Sequence, residues 1–97
     1  MEIPRLSSKE ALILRLLVAK GEMYGLELVN EAGGELKRGT VYVTLGRMAD
    51  KGYVESRTIS QDDGSGMPKR LFHATGYGAR VLSAWELAGA SLGWGRA

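Results

Sequence analysis

The sequence predicts a mainly α fold carrying one β-hairpin, in the order helix, helix, helix, strand, strand, helix. Three observations predict it. Apolar residues recur at helical spacing along the first half and again at the C-terminal end. Between these regions, two short runs mixing aromatic and β-branched with polar residues flank the glycine-containing turn "QDDGSGMP". A chain of 97 residues, 44% hydrophobic and 25% charged, is long enough for one domain with a packed core and excludes a disordered polymer.

Each element can be justified in turn. Ser7 and Glu10 have the spacing of a capping box, and "ALILRLLVAK" follows. That segment is apolar on nearly all sides, with Arg15 the one interruption, so it predicts a helix buried all round. Gly21 ends it. "YGLELVNEA" predicts a second short helix, with Leu28, Val29 and Ala32 inward and Glu27 and Glu31 in water. Gly33 to Glu35 is a loop. In the third helix Val41, Leu45 and Met48 recur at i, i+4, i+7 and form one apolar stripe. Gly52 after Lys51 is a left-handed stop with a cation in the last turn. "YVESRTI" and "KRLFHA" are the strands of the hairpin, and the helix from Thr75 onward is weakened by Gly76, Gly78 and Gly89. Two short helices with a third packed over them and a hairpin beside them make a winged helix-turn-helix. Residues 1–74 are expected to form this unit, and residues 75–97 a C-terminal dimerisation helix within the same compact body.

Composition removes several classes of function. There is no cysteine, hence no disulfide, thiolate metal site or cysteine nucleophile, which is compatible with a reducing cytoplasm. No leader-like segment or membrane-length apolar run is present, so a cytoplasmic protein without a membrane partner is expected. His73, the only histidine, has neither clustered carboxylates for a metal nor a serine and acid for a triad. No catalytic residue, metal or cofactor is expected. Net charge is only +2, but residues 37–74 hold seven basic and four acidic groups, against four and six in residues 1–36. A basic middle third points to a polyanion or to an ordinary solvated face.

Three stretches then carry a resemblance. "LILRLLVAKGEMYGLELV" with its Tyr24–Gly25 pair, "GTVYVTLGRMADKGYVES", and "GMPKRLFHATGYGARVL" with Thr75 and Gly78 resemble the PadR family of winged-helix transcriptional regulators over about three quarters of the chain. The chain departs from that pattern in two places. Lys37 and Arg38 stand where the family usually has a small polar residue, and Phe72 stands where it usually has Tyr. The resemblance implies a dimeric regulator of double-stranded DNA, expected to be a repressor on a palindromic operator. With a C-terminal part this short, no separate ligand-binding domain is expected, and a small aromatic effector stays open. The alternative is a winged helix used as a protein-interaction module.

With the core stripe below and about 100° per residue, Gly39, Val43 and Gly46 lie on top of the third helix, together with Asp50. Thr40, Thr44, Arg47 and Lys51 line one flank, and Tyr42 lines the other. A recognition helix reads bases near its N-terminus and touches phosphates from its sides. Thr40, Val43 and Arg47 are therefore expected to face bases, whereas Lys37, Arg38, Tyr42, Thr44 and Lys51 suit phosphates. Tyr42 packing against the wing and Lys51 as a plain helix-end cation are open alternatives. Lys69 and Arg70 alternate faces, so one of them points to a phosphate. Asp62 and Asp63 argue against a wing tip inserted deeply into a groove.

Val81, Trp85, Ala88 and Leu92 repeat at helical spacing in the last helix. Leu14, Leu17, Leu28, Leu45 and Met48 already fill a small core. The remaining apolar surface, including Leu12 and Leu16 on the first helix, is best covered by a second subunit. In the resembled family the last helix is the dimerisation element, which agrees.

Overall fold

The structure, a computed structural model, describes residues 5–59 and 69–92, and of 90–92 only the helical backbone. The expected wing turn with Asp62 and Asp63, the side chain of Leu92, and Trp94 lie outside the described residues.

Helix α1 runs over Ser8–Lys20 and begins as its sequence dictates. The Glu10 amide donates to the Ser7 hydroxyl at 3.1 Å, and the Ser7 amide donates to the Glu10 carboxylate at 2.9 Å, which satisfies two of the donors a helix start leaves open. Ala11, Ile13, Leu14 and Leu17 are buried. The helix is not covered on all sides, however. Val18 is exposed, and Leu12 and Leu16 are half-buried, because one small core covers one stripe of a helix and not its whole circumference.

Sequence reasoning also missed a strand. Met23–Tyr24 form β1, which pairs with β3 (Lys69–Ala74) in the register Met23↔Phe72 and Tyr24↔Leu71. Tyr24 is thus extended, not helical, and α2 starts one residue later, at Gly25–Glu31. The Tyr24 amide donates to the Glu27 carboxylate at 2.8 Å. Strand β2 (Val54–Ile59) pairs with β3 from the other side, so the sheet has three antiparallel strands in the order β1-β3-β2, not the two expected. Within α2, Leu28 is buried, and so is Ala32 just after it; Val29 is half-buried, while Glu27 and Glu31 face solvent.

Helix α3 spans Arg38–Asp50 and buries Val41, Leu45 and Met48. It ends on Gly52, whose φ of 79° is the left-handed conformation. The Gly52 amide donates to the Ala49 carbonyl at 3.0 Å, and the Tyr53 amide to the Met48 carbonyl at 2.9 Å. These are the two bonds of a Schellman stop. The chain can therefore turn at once into β2. Helix α4, Gly76–Leu92, closes the fold, with Val81 and Leu82 in the same buried cluster as Leu14, Leu28 and Met48.

Candidate nucleic-acid interface

The buried stripe of α3 fixes which residues it presents. Gly39, Val43, Gly46 and Asp50 are exposed on the opposite side, with Val43 57% accessible although it is aliphatic. Thr40 and Thr44 are half-buried beside them, and Arg47 is exposed. This flank faces the start of α1. Ser7, Lys9 and Glu10 together with Thr40, Val43, Thr44, Arg47 and Lys51 line one open groove. Ser7 and Lys9 were not anticipated at this site, since nothing in their spacing ties them to a helix thirty residues away.

The electrostatics of the face are uneven. Ion pairs neutralise Arg15 with Glu86 at 2.8 Å, Lys20 with Glu31 at 3.3 Å and Arg57 with Glu22 at 2.7 Å. The Arg57 guanidinium grips Glu22 through two bonds and holds its carboxyl below the usual carboxylate range. Lys51 pairs with Glu10 at 3.0 Å. Burial pushes the Glu10 carboxyl up, but the Ser7 amide and Lys51 outweigh it, and its pKa lies below the ordinary value. None of the ion pairs among the described residues involves Lys37, Arg38 or Arg47. Lys37 is the N-cap of α3 but provides no side-chain cap, and the first turn carries no acidic residue. Two cations therefore sit at the positive end of the helix macrodipole, where an anion is favoured.

On the other flank, the ring of Tyr42 lies on α2. A methyl built at Gly25 would fall 2.6 Å from the Tyr42 ring and 2.8 Å from its hydroxyl, so Gly25 is the residue that makes room for it. Tyr42 is 48% exposed, and with Tyr24, Lys69 and Arg70 it lines a recess between α2 and the wing. The register separates the wing cations. Lys69 lies opposite Ile59 on the face shared with Tyr24 and stands over the Tyr24 ring at 5.4 Å, whereas Arg70 lies opposite Thr58 on the face of Phe72 and Val54, turned toward the helices. His73 meets Glu55 across the ladder at 3.2 Å on the outer face. Among the described residues no three histidines or carboxylates gather as metal ligands, and no helix is long and apolar enough to cross a membrane.

The joint between α3 and α4 was not legible as a unit. The Thr75 hydroxyl donates to the Gly52 carbonyl at 2.6 Å and lies 3.2 Å from that of Tyr53, while it accepts the Gly78 amide at 2.9 Å. The Thr75 amide donates to the Tyr53 carbonyl at 3.0 Å. A methyl at Gly78 would overlap that same carbonyl oxygen. Further along α4, Val81 is buried in the chain's own core, so that residue of the expected interface stripe is already covered. Trp85 and Ala88 are half-buried and Leu87 is 71% exposed.

Comparison with known proteins identifies the family and the fold. The description "Transcriptional regulator PadR-like family" matches residues 13–84. A PadR family transcription regulator from Clostridium difficile is similar at 28% identity and a TM-score of 0.73, with 90% of this chain and 92% of that one covered. Bacillus subtilis PadR, crystallised in complex with operator DNA, is similar at 27% identity and a TM-score of 0.71 over 80% of this chain. The match takes in 47% of that longer protein. A PadR family regulator from Eggerthella lenta is similar at 25% identity and a TM-score of 0.66, over 87% of this chain and 77% of that one. No curated protein matches the chain.

Proposed function

The chain belongs to the PadR-like family of transcriptional regulators, and from that premise we propose that it is a cytoplasmic repressor that binds a palindromic DNA operator as a homodimer. The observation that carries this reading is the trio of cations at the N-cap of α3 and along its exposed side, which take part in no ion pair among the described residues. Among the described residues Lys37, Arg38 and Arg47 are in no ion pair, whereas Arg15, Lys20, Lys51 and Arg57 are each neutralised. Uncompensated charge at a helix start lowers stability, and an external polyanion gives it a purpose. The exposed, aliphatic Val43 between them suits a thymine methyl, and Arg47 suits the two acceptors of guanine.

In this reading α3 enters the major groove with Thr40, Val43 and Arg47 toward base edges, and exposed Gly39 and Gly46 let the backbone come close. Lys37, Arg38, Tyr42 and Thr44 meet phosphates on its flanks, and one of Lys69 and Arg70, which the register puts on opposite faces of the wing, meets the strand beside it. Lys51 contributes less to DNA than its charge suggests, being held by Glu10. Trp85 and Ala88 of α4 with Leu12 and Leu16 of α1 form the dimer face. That the B. subtilis relative was crystallised with operator DNA supports the same use of this fold.

Titration of DNA binding at two salt concentrations tests the proposal. Phosphate neutralisation releases counterions, so affinity falls steeply as salt rises, with a slope set by the number of phosphates contacted. Affinity independent of salt would favour the protein-interaction alternative. Light scattering at micromolar concentration checks the dimer, and a monomer mass contradicts it.

A further inference from the structure

We propose that Thr75 is a positioning residue for the recognition helix: its hydroxyl locks the direction of α3 to that of α4, so that the subunit pairing made by α4 dictates where α3 is presented to DNA. The inference rests on the DNA-binding reading above and deepens it by naming what aims the helix.

The joint is doubly determined. One hydroxyl can donate one hydrogen and accept at its lone pairs, and Thr75 uses both capacities. Its hydrogen goes to the carbonyl of Gly52, the left-handed residue that stops α3, at 2.6 Å, with Tyr53 sharing at 3.2 Å. Its lone pair takes the Gly78 amide, one of the open donors at the start of α4. The same atom thus closes the end of one helix and caps the start of the next. The backbone adds a second tie, Thr75 amide to Tyr53 carbonyl at 3.0 Å, and Gly78 lets α4 approach that carbonyl more closely than any side chain permits. The Tyr53 and Tyr77 rings, 5.7 Å apart, flank the contact. A cap for α4 alone needs only an acceptor at position 75. The donated bond to Gly52 has no role in capping, and it is the part that orients α3.

This separation supplies the experiment. Thr75→Asp keeps an acceptor for the Gly78 amide and removes the hydrogen donated to Gly52. Thr75→Ser keeps both. The probes are a duplex selected by the wild-type protein from a randomised pool and a scrambled duplex of the same composition. The readout is the ratio of the two affinities, taken where circular dichroism shows each variant folded and light scattering shows its mass unchanged. Thr75→Asp is expected to lower the ratio at least tenfold through the selected duplex, with scrambled binding within twofold of wild type, and Thr75→Ser to retain it. Gly78→Ala is the second variant, used if the aspartate chain does not fold. It improves the helix propensity of α4 while forcing it off the Tyr53 carbonyl, and the same loss of ratio is expected. A ratio unchanged in the folded variant overturns the role of Thr75 alone. A wild type that selects no sequence overturns the DNA reading beneath it.

Discussion

Helices α1 and α3 are each 13 residues long and each bury one apolar stripe, yet they treat their ends and charges in opposite ways. α1 opens on a complete capping box, and two of its cations are in ion pairs with α4 and α2. α3 opens on Lys37 and Arg38, with no side-chain cap and no acid in its first turn, and ends with Asp50 at the negative end of its dipole. The first arrangement serves folding. The second works against it at the exposed surface, while the buried stripe of Val41, Leu45 and Met48 is kept intact. On the DNA-binding reading, the difference teaches that the outward half of α3 is arranged for a partner while its buried half is arranged for stability.

That comparison can be broken or sharpened. The largest effect is expected from Arg47→Ala, which should weaken binding to the selected DNA by about 1–3 kcal/mol and relax preference at one base position. A binding titration against single-base variants of the duplex checks it. An unchanged profile would mean that the exposed half of α3 is simply solvated.

Next is the stop of α3. Gly52→Val places a β-branched residue at a φ of 79° and is expected to lose about 1–2 kcal/mol in urea unfolding. The nearest side-chain atom to the new Cβ would be 3.9 Å away, so the loss is conformational strain rather than crowding. An unfolding midpoint equal to wild type would show that α3 does not depend on this stop.

Lys37→Ser should move the two properties in opposite directions. A hydroxyl N-cap for α3 adds about 1 kcal/mol of stability, while removing a cation weakens binding to every DNA sequence and flattens the salt slope. Stability and affinity falling together would contradict the contrast between the two helices.

The smallest effect is expected for Glu10→Gln, which keeps the capping box and loses the ion pair with half-exposed Lys51, about 0.5 kcal/mol at neutral pH. The Glu10 carboxyl titrates lower in the folded chain than in the unfolded one. Its contribution is therefore complete above the ordinary carboxylate pKa and disappears as pH falls through the lowered value. The difference between wild type and variant should vanish in acid, as paired thermal melts would show.

What could be read in the sequence follows the range of each interaction. The α3 stripe, the capping box at Ser7 and the stop at Gly52 are local patterns that repeat at helical spacing or sit at helix ends, and the structure has all three. β1 could not be read: two residues carry no period, and Met23–Tyr24 are a strand only because β3 lies beside them. Gly25 and Gly78 were visible as signature glycines, but their reasons, the Tyr42 ring and the Tyr53 carbonyl, come from tertiary approach. For the same reason the spacing of Val81 with Trp85 marked an apolar stripe without saying that the chain's own core takes Val81.

The uncapped start of α3 also has a consequence in time. The bond from the Val41 amide to the Lys37 carbonyl, at 2.9 Å, begins the helix and has no side-chain cap beside it to hold it shut. Local opening is cheapest where a segment is exposed and poorly anchored. In the free protein the first turn of α3 is therefore expected to exchange its amide hydrogens with solvent faster than the first turn of α1, as hydrogen-exchange measurements would show. On the proposed reading, a phosphate seated between Lys37 and Arg38 would supply the missing partner and slow that exchange, so the surface proposed to meet DNA is also the part of the helix that binding would complete.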